Sequence, residues 1–83
     1  MHEKISGKLR KETEKWLKRL EEKSEKIKKI KYVKGIDECT ENIRAYISDC
    51  KYFLEKNDLI NAFEAIVYAW GIYETLERLG LIE

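Results

Sequence analysis

His2 is the only histidine of this 83-residue chain, and Cys39 and Cys50 are its only cysteines, so catalysis or metal binding would have to begin with them. An imidazole beside Met1 and Glu3 has no second ligand at a useful spacing, and His2 suggests neither a metal site nor a dyad. Cys39 and Cys50 stand eleven residues apart in a segment of helical periodicity. That spacing gives about 16 Å of rise, and a disulfide needs Cα atoms within about 7 Å. Eleven steps of 100° bring both thiols to nearly the same side, where they read as two small apolar core residues. Zinc would need further Cys or His ligands that the chain lacks.

Asn61, Glu64 and Tyr68 follow at spacings of three and four, with Gly71 next in the row. A carboxamide, a carboxylate and a phenol on one flank could form a polar patch. The plainer expectation is an exposed helix face with one close helix approach at Gly71. Spacing fixes no second carboxylate nearby, and no nucleophile has a base beside it. The sequence therefore predicts no enzyme, no cofactor and no metal. The remaining chemical candidate is the row Lys4, Lys8, Lys11, Lys15 and Lys18, which could track phosphates along one side of a helix. Glu12 and Glu14 interrupt it, and no aromatic is interleaved there for base stacking.

The elements carrying these residues are all helical. Proline is absent and glycine occurs four times, too little turn punctuation for a β domain. With 43% apolar residues the chain can fill a core despite 40% charged content. Ile5, Leu9, Trp16, Leu17, Leu20, Ile27, Ile30 and Val33 recur at sums of three and four, predicting a long first helix over about 3–34, capped by Gly35. Glu14 with Lys18, Glu22 with Lys26 and Glu25 with Lys29 would support its exposed face. Ile36, Cys39, Thr40, Ile43, Tyr46, Ile47, Cys50, Phe53 and Leu54 follow a three-and-four pattern that predicts a second helix over about 36–56. Asn57 can close that helix in a left-handed conformation and Asp58 can cap a third, over about 58–79. Leu59, Ala62, Phe63, Ile66, Ala69, Trp70, Tyr73 and Leu76 mark its wide apolar face. Short connections make an all-α, up-down-up three-helix bundle with a long basic first helix, one domain spanning 1–83.

Charge is unevenly spread. Residues 1–34 hold 13 basic and 6 acidic side chains, whereas residues 35–83 hold 4 and 10. The net charge is only +1, so attraction between the halves inside the bundle is one expected use of the asymmetry. The longer first helix should overhang the turn at Asn57 and Asp58 with residues 1 to about 10, which then either fray or leave Ile5 and Leu9 to meet another chain, the reading that a stripe continuing to Ile5 favours. Aromatic residues concentrate in the last two helices, and some must be exposed. Tyr52, Tyr68, Trp70 and Tyr73 join Ile5 and Leu9 as interface candidates. Two free thiols, no signal-peptide stretch and no run long enough to span a membrane suggest a cytoplasmic protein without membrane association. The 13 Lys, 13 Glu and absence of Gln suggest a thermophilic source.

Residues 46–80 resemble the core of the archaeal domain-of-unknown-function family 357. The resemblance rests on Tyr46-Ile47-Ser48-Asp49, Tyr52-Phe53-Leu54-Glu55-Lys56, Asp58-Leu59 and Ala62-Phe63-Glu64-Ala65, leading to Tyr68-Ala69-Trp70-Gly71. Asn57 stands where family members commonly have glycine and meets the same left-handed need. The resemblance implies a small three-helix bundle of archaeal, cytoplasmic origin and no catalytic residues. It also implies that some relatives are joined to a nucleotidyltransferase-like domain. The leading expectation is a non-enzymatic interaction module with a protein partner or a second copy. The alternative is a nucleic-acid or phosphate-binding accessory domain using the lysine row.

Overall fold

The computed structural model describes residues 2–83, with side chains from Ile5 onward. Three helices, α1 (His2–Glu25), α2 (Ile36–Glu55) and α3 (Leu59–Arg78), run up, down and up. The elongated molecule measures 48 × 17 × 16 Å. The bounds of α2 and α3 fall within a residue of those the periodicity predicts.

The core lies along the line where the three helices meet. From α1 come Leu17 and Leu20, from α2 Ile36, Ile43, Ile47 and Cys50, and from α3 Ala62, Ala65, Ile66, Ala69, Tyr73 and Leu76. Three alanines on the inner face of α3 let α2 approach closely, and the α2–α3 pair is the most intimate of the bundle. Thr13 and Ser24 extend the buried row of α1, although both are polar. Each returns its hydroxyl to its own helix, Thr13 to the Leu9 carbonyl at 2.8 Å and Ser24 to the Glu21 carbonyl at 2.9 Å. No buried hydrogen-bonding requirement is left open, so each packs as a small apolar group.

The turn between α2 and α3 forms as its residue types dictate. Asn57 takes φ 58°, and the Asp58 carboxylate accepts from the Asn61 amide, satisfying a donor that the first helical turn leaves without a partner. Arg10 of α1 donates to the Leu54 carbonyl at 3.3 Å and to Asn57 Oδ1 at 2.8 Å. That clamp sets the level of α1 against the turn, and the helix N-terminal to Arg10 projects beyond it. Asp58→Ala should lower stability by about 1 kcal/mol, read as a shift of the urea midpoint at unchanged slope.

The first helix is shorter than its apolar pattern predicts. It stops at Glu25, and residues 26–35 form an irregular strap rather than a continued helix. Five lysines lie at 26, 28, 29, 31 and 34, and a helix would stack them at i+3 with like charges facing. β-Branched Ile27, Ile30 and Val33 favour extended backbone as well. The decisive term comes from the far end of the chain. Lys28 N–H donates to the Glu83 carbonyl, Glu83 N–H to Lys28 and Ile30 N–H to Leu81, around an antiparallel bridge of Lys29 with Ile82. Ile82 is buried by this pairing. Gly35 is left-handed at φ 90°, as its type suggests, but it precedes α2 instead of closing α1. Unwinding also redirects Lys29, which pairs with Asp37 and not with Glu25.

Charge attraction between the two halves is a minor feature of this packing. Lys29–Asp37 joins the basic segment to the acidic one, but Lys51–Glu21 runs the other way, acid on α1 and base on α2. The lysines of the strap are exposed to solvent.

Candidate interaction surface

Helix α3 is apolar on more than its core face. At 100° per residue, Ile60, Val67 and Gly71 fall on the side opposite Ala62 and Ala69. Ile60 is 71% exposed, Val67 50% and Phe63 38%, a contiguous apolar strip on the outside of the bundle. Gly71 continues it, and a Cβ built there would meet no atom within 4 Å. Among the described residues no helix approaches Gly71 closely, contrary to the sequence expectation.

Two open grooves flank the strip. The one facing α1, about 450 Å³, is lined by Trp16, Phe63, Ile66, Val67, Trp70 and Gly71 with Glu74 at its rim. Toward the N-terminus a second hollow of about 370 Å³ takes in Ile5, Lys8, Leu9, Glu12, Trp16 and Phe63. Trp16 and Phe63 belong to both, so the apolar surface runs from the projecting end of α1 to the middle of α3. On the other flank Val67, Tyr68, Gly71, Ile72 and Thr75 face Cys39 of α2.

Trp16 sits at the centre of a small network. Its ring meets Trp70 edge to face at 5.7 Å and is flanked by Lys15 and Arg19 at 5.2 and 5.0 Å. Its indole N–H donates to Glu12 at 3.2 Å, and Trp70 Nε1 donates to the Trp16 carbonyl at 3.0 Å. Lys15 bonds Glu12 too, and that hydrogen bond and charge hold the Glu12 carboxyl below its ordinary range. These contacts hold the two tryptophans in fixed orientations beside the groove.

The candidates drawn from sequence scatter across the molecule. Ile5 is exposed and Leu9 half-buried, and both line the surface just described. Trp70 is half-buried behind Trp16. Tyr68 is 61% exposed and stacks on Tyr46 at 5.7 Å. Tyr52 is exposed elsewhere, against Phe53 and beneath Lys56. Tyr73 is corrected outright: at 5% exposure it is a core residue, so it is withdrawn from the interface set. The polar patch does not assemble, because Asn61 Nδ2 donates to Asp58 Oδ2 at 2.7 Å as part of the helix cap, away from Glu64 and Tyr68. Ile60, Val67 and Trp16 were missed as surface residues. Their signal is present in the sequence, since Ile60 and Val67 fall outside the arc that Ala62, Ile66, Ala69 and Tyr73 define.

Lys8, Lys11, Lys15 and Lys18 are exposed on α1, while the side chains of Lys4 and His2 lie outside the described residues. Lys15 is committed to Glu12. The stronger basic concentration is the strap, where Lys26, Lys28, Lys31 and Lys34 accompany Tyr32, 81% exposed. Among the described residues no three His, Cys, Asp or Glu side chains come together as metal ligands, and no helix is long and apolar enough to cross a membrane.

Both cysteines are free, Cys50 buried and Cys39 half-buried. Burial, reinforced by the Glu21 charge and opposed by Lys51, pushes the Cys50 thiol up to about 11 from an ordinary 9.0. Burial and then Glu77 raise the Tyr73 phenol in the same direction. Unfolding lets both protons leave at lower pH, and for Cys50 the contribution is intact below about pH 9 and is lost as pH rises through about 11. Urea titrations should show stability falling across that window, and Cys50→Ala should flatten part of the fall.

The family model described as protein of unknown function, DUF357, matches residues 15–82. The chain belongs to the DUF357 family. A crystal structure of protein AF1782 from Archaeoglobus fulgidus, also matched by the DUF357 model, is 43% identical. The match covers 95% of this chain and 96% of that one, with a TM-score of 0.83. No curated protein matches the chain. The DUF357 match includes Trp16, Phe63, Val67 and Gly71, and it begins after Ile5 and Leu9.

Proposed function

We propose that this DUF357 chain is a non-enzymatic interaction module that associates with a second copy through the outer face of α3 and the adjoining α1–α3 groove. One observation carries the reading: Phe63 and Val67 open to solvent beside Trp16 in the α1–α3 groove, and Ile60, 71% exposed, stands one turn before Phe63 on the outer side of α3. Scattered exposed apolar residues are ordinary, but a contiguous strip rimmed by charge marks a protein contact. Ile5 and Leu9 extend the strip toward the end of α1. The rim is polar, with Glu12, Lys8 and Glu74 at its edges.

Light scattering at low and at high salt tests it. A mass near twice 9.9 kDa at both is expected, because apolar burial is little affected by screening. A monomer at both, up to the highest soluble concentration, overturns it.

The exposed strap favours a second reading, in which the domain serves as an accessory to a phosphate-bearing polymer or to a nucleotidyltransferase-like protein. Lys31 and Lys34 flanking Tyr32 combine charge with a stacking ring. Binding of a single-stranded oligonucleotide should then weaken steeply with salt and be lost in Lys31→Glu with Lys34→Glu. Undetectable binding at low salt excludes it.

A further inference from the structure

Among the described residues of one copy, nothing crowds position 71 and calls for a glycine there. It lies inside α3, where glycine is among the least favourable residues, and its missing Cβ would stand in open space. Nine residues from fully buried Ala62, it occupies the middle line of the outer face. A glycine on such a line lets the backbone of another helix come close.

Its neighbours are arranged symmetrically in a chemical sense. Two turns before Gly71 stands Glu64, and two turns after it stands Arg78, both exposed and within about 20° of the same line. Neither has an ion-pair partner among the described residues. One turn before and after stand Val67 and Thr75, and the Thr75 hydroxyl is turned back to the Gly71 carbonyl at 2.8 Å. That bond leaves the threonine methyl available for apolar packing.

We infer that two copies pair α3 against α3 in antiparallel orientation about a two-fold axis at Gly71, so that Glu64 of each meets Arg78 of the other. A two-fold interface must be self-complementary, so each contact between one residue and another across it occurs twice. An antiparallel axis at Gly71 carries position 64 onto 78 and position 67 onto 75, giving two opposite-charge pairs outside two Val67–Thr75 contacts. Parallel pairing in register would set Glu64 against Glu64 and Arg78 against Arg78. The inference rests on the self-association proposed above and adds its geometry.

A charge-reversal cycle tests that geometry, read as the dimer dissociation constant by sedimentation equilibrium. Glu64→Arg alone, or Arg78→Glu alone, creates two like-charge pairs per dimer and should weaken association about ten-fold. Combining Glu64→Arg with Arg78→Glu should restore it. Gly71→Leu should yield a monomer with an unchanged circular dichroism spectrum, since position 71 is exposed and a Cβ there meets nothing within 4 Å. Dimers indifferent to all of these changes overturn the antiparallel α3 pairing and leave self-association standing through another face. A wild-type chain that is monomeric throughout overturns both.

Discussion

Trp70→Ala is expected to lower the unfolding free energy by about 3 kcal/mol, the lower end of the range for removing a large aromatic from a packed site. Trp70 is half-buried, but it joins α1 to α3 in three ways. Its indole N–H donates to the Trp16 carbonyl, its ring meets Trp16 edge to face, and it meets Tyr73 likewise at 5.9 Å. α1 packs on α3 and only lightly on α2, so few other contacts can take over that docking. A domain of this size has on the order of 4 to 12 kcal/mol of total stability, so the loss is a large share. Trp70→Phe keeps a ring and removes the hydrogen bond, and should cost less. Urea unfolding followed by circular dichroism reads both. A loss under about 1 kcal/mol for the alanine variant would mean that the Trp16–Trp70 contact does not hold α1 in place.

Val67→Asp is expected to have the opposite profile: little change in stability, with self-association weakened roughly a hundred-fold. Val67 is half exposed in the single copy, where a carboxylate can remain hydrated. In the proposed pair the same position is covered by the partner helix, and two carboxylates would be desolvated per dimer. The paired observation matters more than either half. A variant that stays folded and becomes monomeric separates interface from core, whereas one that unfolds would place Val67 in the packing of its own chain.

The sequence made α2, α3 and their turn legible because the causes are local. Asn57 and Asp58 carry the turn geometry in their own side chains, and the three-and-four pattern of Ile36, Thr40, Ile43, Ile47 and Cys50 is unbroken. The end of α1 was illegible for the opposite reason. Ile27, Ile30 and Val33 fit a helical stripe, but the backbone partners that hold the strap extended are Leu81 and Glu83, far away in the chain. Thr13 is not legible as a core residue, because a hydroxyl reads as polar until its bond to the Leu9 carbonyl is known.

The candidate surface was half legible. Ile5 and Leu9 follow from the stripe of α1, but assigning α3 a single apolar face hid Ile60 and Val67, and Phe63 was counted as core although it opens to solvent. The residue type of Tyr73 suggests an interface, while its spacing from Ala62, Ile66 and Ala69 places it inside, where the structure has it. Where type and spacing disagree in this bundle, spacing decides, because burial follows the angle around the helix.

In the proposed pair the outer face of α3 is covered by a second copy. Amide chemical shifts followed by NMR across a dilution series test it most directly, residue by residue. Concentration-dependent shifts are predicted for Ile60, Val67, Gly71 and Thr75 on α3 and for the Trp16 indole, with the strap around Tyr32 unchanged. Shifts that stay constant along α3 over the whole series, or that move only in the strap, would contradict it.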